Sequence, residues 1–339
     1  MNKNTEKLPP SAVLMQMITG FWVSSAIYVA AKLGLADQMA GGSVNADELA
    51  LSVGAHPGAL YRLLRALSSI GVFTETESRF FALTPSGNLL RSDVPGSLRA
   101  FSLAGREIGW EPWGQLLHSV RTGKTAFDHI NGMGYFEFLN QNPELARLFD
   151  EAMTGFVTMN GLAAAAAYDF STFSKIIDIG GGNGALMEAV LRQNPQVKGV
   201  VFDHPDVVRA AEKRLASSGL SDQCECIGGD FFKTVPPGGN AYLLASVIHD
   251  WDDEKAFAIL RNCRRAMGST AKILLLEMII PPGDSPFFGK LLDLNMLVNF
   301  GGRERTEAEY RDLLSSAGFE LTRIVQTRTP TSIMEAIPV

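Results

Sequence analysis

Three cysteines in 339 residues are too few for a disulfide framework. Cys224-x-Cys226 has no Cys or His nearby to complete a zinc site, and Cys263 stands alone, so reduced thiols in a strand and a helix are expected. Positive charge is also in short supply. Thirty Lys and Arg against 36 Asp and Glu leave a formal net charge of −6, which argues against bulk nucleic-acid binding, because that depends on cations displacing counterions. With 46% hydrophobic and 19% charged residues the composition does not favour disorder, and the length allows two domains and a sizeable core. No internal repeat is visible. One uncharged stretch, Ser11 to Ala31, follows Lys3 and Lys7 in the manner of a signal peptide or membrane anchor. Gln16, Gly20 and Ser24 nevertheless recur every four residues, with Thr19 and Ser25 beside them. That weakly polar stripe reads better as an amphipathic helix buried against something large, such as another subunit. A cytoplasmic location without membrane contact is expected.

Residues 1–100 stand apart from the rest, 101–339. Asn45-Ala-Asp-Glu48 has the spacing of a capping box and predicts a helix to about Ser52. Pro57 opens a second helix, with Leu60, Leu63, Leu64, Leu67 and Ile70 on one face and Gly71 ending it. Val72–Thr76 and Arg79–Leu83 predict a hairpin turning at Glu77-Ser78, and Thr84-Pro85 starts another helix. Helix, turn, helix and hairpin make a winged-helix pattern, which raises DNA binding. The second helix offers only Arg62 and Arg65 against five large apolar residues, so a dimerisation module fits better.

Residues 101–170 read as mostly helical and rich in aromatics, including Trp110, Trp113, Phe127, Tyr135, Phe136, Phe138, Phe149 and Phe156. Most belong to a core, and some are placed to line an apolar acceptor cavity. Gly161–Tyr168 is a small-residue helix suited to close packing. From Lys175 onward strands and helices alternate. Strands are predicted at Lys175–Ile179, Val200–Asp203, Glu225–Gly228, Ala241–Ile248 and Lys272–Ile279, with a helix at Asp253–Met267, which describes an α/β, doubly wound parallel sheet. A last helix, Thr306–Ala317, precedes Glu320–Gln326 and Ser332–Ile337, two strands close enough that they must pair antiparallel.

The strand Lys175–Ile179 runs into Gly180-Gly-Gly-Asn-Gly184 and then a helical pattern, a strand, tight turn and helix N-terminus open to a nucleotide-like cofactor. Gly180-x-Gly182-x-x-Ala185 also satisfies the loose dinucleotide fingerprint. Asp203 ends the next strand, where an acid grips ribose hydroxyls in either kind of enzyme. Gly229-Asp230-Phe231-Phe232 follows the third strand, with an acid and an aromatic ring for an adenine. Ile248-His249-Asp250-Trp251 ends the fourth. Ligands gather at the carboxyl ends of such strands.

His249 is the candidate base. A lone histidine is more often structural, but this one sits among polar residues at the strand mouth. Glu277 lies in the otherwise apolar run Leu276-Glu277-Met278, and Glu304 in the loop before the final helix. A carboxylate on one imidazole nitrogen fixes the tautomer and raises the basicity of the other. The competing roles are an ion pair of Glu277 with Arg303 or Arg305 and helix-dipole complementarity for Glu304. Asp250, Asp252, Asp253 and Glu254 read as helix-starting residues.

Six motifs occur in order: Asp178-Ile-Gly-Gly-Gly-Asn-Gly184, Phe202-Asp203-His-Pro205, Gly229-Asp230-Phe-Phe232, His249-Asp-Trp251, Glu277 and Gly301-Gly-Arg-Glu-Arg-Thr306. Together they resemble the S-adenosylmethionine-dependent small-molecule O-methyltransferases, the family of caffeate, hydroxyindole and bacterial polyketide-tailoring enzymes. The resemblance covers nearly the whole chain. It implies a class I methyltransferase sheet with a terminal antiparallel pair, and an N-terminal winged-helix module forming a homodimer. It also implies S-adenosylmethionine as cofactor, S-adenosylhomocysteine as product, a small aromatic acceptor and no metal. By this resemblance Asp178, Gly180 and Gly182 belong to the cofactor site, with the two glycines along the methionine part. Asp203 takes ribose, and Asp230 with Phe231 takes adenine. His249 is the base, flanked by Glu277 and Glu304. Phe136, Met153, Phe156, Met296 and Asn299 line the acceptor pocket. Ala245 departs from the lysine that many plant relatives carry four residues before the histidine, which puts one cofactor contact in doubt. N- or C-methylation on the same scaffold, a ligand-sensing regulator and a nicotinamide dehydrogenase are the alternatives.

Overall fold

The computed structural model describes residues 8–339, except for the side chains of 156–158. Lys3, Lys7 and the side chain of Phe156 lie outside the described residues. The chain forms two units, residues 1–107 and 108–339.

The first unit opens with α1 (Pro10–Ile18) and α2 (Gly20–Lys32). The uncharged stretch is therefore not one helix but two, bent by 42° at Thr19. No single helix among the described residues is long and apolar enough to cross a membrane, although this bent pair has the length and composition. Leu14, Met15, Met17, Ile18, Phe21 and Trp22 are exposed along it. There follow α3 (Leu35–Gln38), β1 (Val44–Asn45), α4 (Ala46–Ser52), α5 (Pro57–Ser69), β2 (Phe73–Glu77), β3 (Phe80–Leu83), α6 (Pro85–Asn88) and α7 (Arg99–Glu107).

Asn45 caps α4 through the Asp47 amide, at 2.9 Å. The capping box does not close: Glu48 is exposed, and Asp47 pairs with Arg79 instead. The hairpin turns one residue later than expected, with Arg79 at φ 68°. β1 adds antiparallel to β3, a pairing too short to read from sequence. The face of α5 is narrower than its pattern suggested. Leu60, Leu64 and Leu67 pack with Leu35, Leu49, Phe73 and Phe81, while Ile70 is 49% exposed. Each fully buried large apolar side chain contributes about 1.5–3 kcal/mol.

The second unit begins with helices α8 (Trp110–Gly114), α9 (Leu116–Thr122), α10 (Ala126–Asn131), α11 (Tyr135–Gln141) and α12 (Pro143–Ala167). The α/β part is β4 (Lys175–Ile179), α13 (Ala185–Gln193), β5 (Lys198–Asp203), α14 (Pro205–Ser217), β6 (Cys224–Gly228), β7 (Ala241–Ala245), α15 (Asp253–Ala266) and β8 (Lys272–Ile280). α16 (Phe288–Asn295) continues into a π-turn at Met296–Phe300, followed by β9 (Arg305–Thr306), α17 (Glu307–Ser316), β10 (Phe319–Gln326) and β11 (Thr331–Pro338).

The main sheet is ordered β10-β11-β8-β7-β4-β5-β6. β4, β5, β6, β7 and β8 are parallel neighbours, and β11 runs antiparallel to both β8 and β10. From β4 the chain winds outward to β6 and returns to the other side of β4 as β7. The loops leaving β4 and β7 therefore diverge, and that switch point opens a crevice at the strands' carboxyl ends. Ile177, Tyr242, Leu244, Ile273 and Leu275 fill one face of the sheet, with Ile176, Leu243, Leu274 and Ile333 on the other. All three cysteines are free thiols, on β6 and α15, and burial raises those of Cys224 and Cys263 to about 12.

Candidate active site

At the end of β4, Gly180 and Gly182 take positive φ, 69° and 56°, a region that favours glycine. A Cβ on Gly180 would stand 2.8 Å from Val247 and 3.8 Å from the Phe231 ring, so the loop packs against the segments that follow β7 and β6. A Cβ on Gly182 would meet nothing within 4 Å, which leaves that backbone open to a ligand. Asp203 closes the loop from β5. Its carboxylate accepts from the amides of Gly182, at 2.8 Å, and His204, at 2.6 Å. Asp178 lies beneath, 1% exposed, with neither oxygen hydrogen-bonded. Burial, and then the charge of Asp203, push it up to about 7. Asp230 accepts from the Phe232 amide at 2.9 Å.

β7 ends three residues short of the expected strand. Pairing with β8 stops at Ala245–Leu276, and Ser246 turns the chain at φ 54°. The amides of Val247 and Ile248, which have left the strand ladder, are held by Glu277 Oε1 at 3.2 and 2.9 Å. His249 thus sits on a 3₁₀ turn, Ile248–Asp250. Its Nδ1 lies 2.7 Å from Glu304 Oε1 and 3.7 Å from Glu277 Oε2. Its Nε2 is 3.4 Å from Asp250 Oδ1. Burial disfavours a charged imidazole, but Glu277, Asp250 and the Glu304 hydrogen bond together outweigh it and lift His249 to about 10. Burial also raises Glu277 to about 7 and Asp250 to about 6.

The competing role for Glu277 is not realised, and one sequence-based assignment, that of Asp250, needs correction. Glu277 does not pair with Arg303 or Arg305: Arg303 pairs with Asp253 and Glu309, and Arg305 with Asp253. Asp250 does not cap the following helix. Asp252 does, accepting from Lys255 N at 2.8 Å, which leaves Asp250 beside the imidazole. The ligand-capable atoms of His249, Glu277 and Glu304 all lie within 4.8 Å of one another, a spacing that can also hold a metal ion.

Phe136, on α11, stacks on Trp251 at 5.8 Å and 29°, and also meets Phe149 and Phe300. Trp251 also meets Phe231 and Phe232 in near-perpendicular pairs, at 75° and 88°. It thus links Phe136 to Phe231 and Phe232, contacts that the sequence pattern does not show. Met296 and Asn299 are buried on the π-turn, where Asn299 donates to Asn295 Oδ1 at 2.8 Å and keeps its own Oδ1 unpartnered. Met153 is half-buried on α12.

Comparison with known proteins gives two family matches, the O-methyltransferase domain over residues 113–320 and the O-methyltransferase dimerisation domain over residues 15–93. The chain is 47% identical over 338 residues, 100% of itself and 99% of the relative, to a phenazine O-methyltransferase of Lysobacter antibioticus. It is 38% identical over 307 residues, 89% of itself and 88% of the relative, to an 8-amino-8-demethylriboflavin N,N-dimethyltransferase of Streptomyces davaonensis. Among solved structures, that of LaPhzM matches with a TM-score of 0.94 at 47% identity, covering 98% of this chain and 100% of that one. An O-methyltransferase from neocarzinostatin biosynthesis, in complex with S-adenosylmethionine and 2-hydroxy-5-methyl naphthoic acid, matches with a TM-score of 0.79 at 35% identity, covering 94% and 96%.

Proposed function

The chain belongs to the S-adenosylmethionine-dependent O-methyltransferase family, and on that premise we propose that it methylates a phenolic hydroxyl on a fused aromatic acceptor, with His249 as the general base. The observation that carries this reading is the 2.7 Å contact of Glu304 with His249 Nδ1, with Glu277 behind it. An ordinary imidazole, near 6.5, is a poor base for a phenol near ~10, because full transfer is uphill by about 5 kcal/mol. The surrounding carboxylates bring His249 to about 10 and remove most of that mismatch. The same shift means that His249 must lose a proton before it accepts one.

S-adenosylmethionine, when bound, supplies an electrophilic methyl group on a sulfonium whose positive charge favours loss of that proton. The residues present fit such a cofactor: open space over Gly182, a carboxylate at Asp203 and a buried, unpartnered carboxylate at Asp178. Gly180 and Gly182 take the methionine part, Asp203 the ribose, and Asp230 with Phe231 the adenine. Phe136, Met153, Met296 and Asn299 line the acceptor side, where aromatic walls exclude water and hold a planar ring in line for transfer. The exposed apolar residues Met15, Met17, Ile18, Phe21 and Trp22, within the matched dimerisation domain, support a homodimer.

The test is His249→Gln, assayed with 1-hydroxyphenazine and for S-adenosylhomocysteine affinity. A positioned base typically contributes about 10²–10⁴-fold, so kcat falls by that range while affinity is kept. Equal loss of both makes His249 structural. The relative named as an N,N-dimethyltransferase favours a second reading, amine methylation, which needs no base. Undiminished turnover of 1-aminophenazine by His249→Gln, with the phenol untouched by the parent enzyme, establishes it.

A further inference from the structure

We infer that Arg305 is a positioning residue for the reaction, fastening the backbone on both sides of His249 and so setting the imidazole against Glu304. This rests on His249 being the base.

The turn that carries His249 holds itself together poorly. Its internal bonds, Asp250 N to Val247 O and Trp251 N to Ile248 O, are both 3.3 Å long, as is common where 3₁₀ geometry is strained. It follows Ser246 at φ 54°. Something outside must fix it. Glu277 takes the two amides that enter the turn. The carbonyls are held by the loop that also bears Glu304. Arg305 Nη1 donates to Ile248 O at 3.2 Å, Nη2 to Trp251 O at 3.0 Å, and the Arg303 amide to His249 O at 2.8 Å. Arg305 is 0% exposed and is itself pinned by Asp253 Oδ1, at 3.0 Å from Nε and 2.7 Å from Nη2. A guanidinium is suited to this place because its planar fork donates in several fixed directions at once, whereas an ammonium is a single compact point of charge. Arg305 and Glu304 are adjacent in sequence, so one short loop sets both the height of the imidazole and the carboxylate it meets.

The test compares Arg305→Lys and His249→Gln with the parent as full chains, saturated with S-adenosylhomocysteine for the pH titration only. Three quantities are read: S-adenosylhomocysteine affinity, kcat and KM for 1-hydroxyphenazine, and the pH titration of the His249 Cε1 carbon resonance, assigned by its loss in His249→Gln. Arg305→Lys is expected to keep affinity and KM within about threefold, lose about ten- to a hundredfold in kcat, and move the His249 midpoint down towards 6.5. An unchanged kcat with an unchanged His249 titration overturns the inference, and so does an affinity loss as large as the kcat loss. If Arg305→Lys does not fold, Asp253→Ala removes the carboxylate that pins Arg305, together with its outer pairing to Arg303, and the same two readouts must move in the same direction. If the parent does not turn over this phenol, the titration alone decides. If His249→Gln keeps full kcat, the base assignment fails, while the titration still reports whether Arg305 sets the imidazole's surroundings.

Discussion

Asp178→Asn should make the cofactor-free protein more stable at alkaline pH and less able to bind S-adenosylhomocysteine. The Asp178 carboxyl is 1% exposed, has no hydrogen-bond partner and is held at about 7, against 3.8 for an ordinary aspartate. A carboxyl with a raised folded-state pKa binds more protons folded than unfolded. Its contribution is therefore most favourable below 3.8 and is lost as pH rises towards 7. Linkage between these two values makes the penalty about 2 kcal/mol at pH 5 and about 4 kcal/mol at pH 8. For a unit of this size 1 kcal/mol is worth about 2–4 °C, so the variant's advantage in thermal midpoint should grow by about 5–10 °C between those pH values. The assay is thermal unfolding of parent and variant, at one protein concentration and without ligand, from pH 5 to pH 8. A difference that stays flat with pH, or an Asn variant less stable at pH 8, refutes the argument, because the carboxylate would then be solvated or paired. Weakened S-adenosylhomocysteine protection in the same variant identifies the buried charge as one retained for the ligand.

Gly302→Ala should damage the site from behind: its Cβ would lie 2.0 Å from the His249 carbonyl oxygen and 2.6 Å from the Trp251 amide nitrogen, both backbone. We expect a loss of about 1–3 kcal/mol or more in stability and a fall in kcat larger than any change in S-adenosylhomocysteine affinity, measured by thermal unfolding and steady-state kinetics. Trp22→Glu, which places a charge at a residue 63% exposed among apolar neighbours, should shift the protein towards monomer in sedimentation velocity, and an unchanged sedimentation coefficient would remove α2 from the dimer surface.

Much of this site was legible because strand ends have a strong sequence signature. The mostly apolar runs that stop near Gly180, Asp203 and Gly229 mark where each strand ends at the carboxyl rim of the sheet, and pairing in the sheet preserves that register. The antiparallel ending was equally constrained, since Phe319–Gln326 and Thr331–Pro338 are too close in sequence to pair in any other way. The first helix was read as continuous because Gly20, beside the bend at Thr19, also fits a small-polar stripe along one helix. β1 was missed because a two-residue strand has no period.

The backbone that carries His249 was the least legible part, for a physical reason. The turn around His249 departs from the sheet, so its backbone groups have no regular partner, and what satisfies them is a side chain 29 residues beyond Ile248, Glu277, and a segment beyond residue 300. Sequence pattern records short-range periodicity and cannot show such pairings. It offered Glu277 as an acid in an apolar strand and a partner for His249, but not as the acceptor for the turn's amides, and it took Asp250 for one of several acids that start a helix. Once folded, the two converge on one imidazole, and their charges act in concert. Glu277→Gln can keep the acceptor that holds Val247 and Ile248 while removing the negative charge. The acid limb of the kcat/KM profile should therefore move to lower pH, towards 6.5, as His249 becomes less basic, with a lower plateau because a weaker base meets the same phenol. A limb that stays in place would mean that Glu277 organises the turn without tuning the histidine, and that Glu304 and Asp250 carry the electrostatics alone.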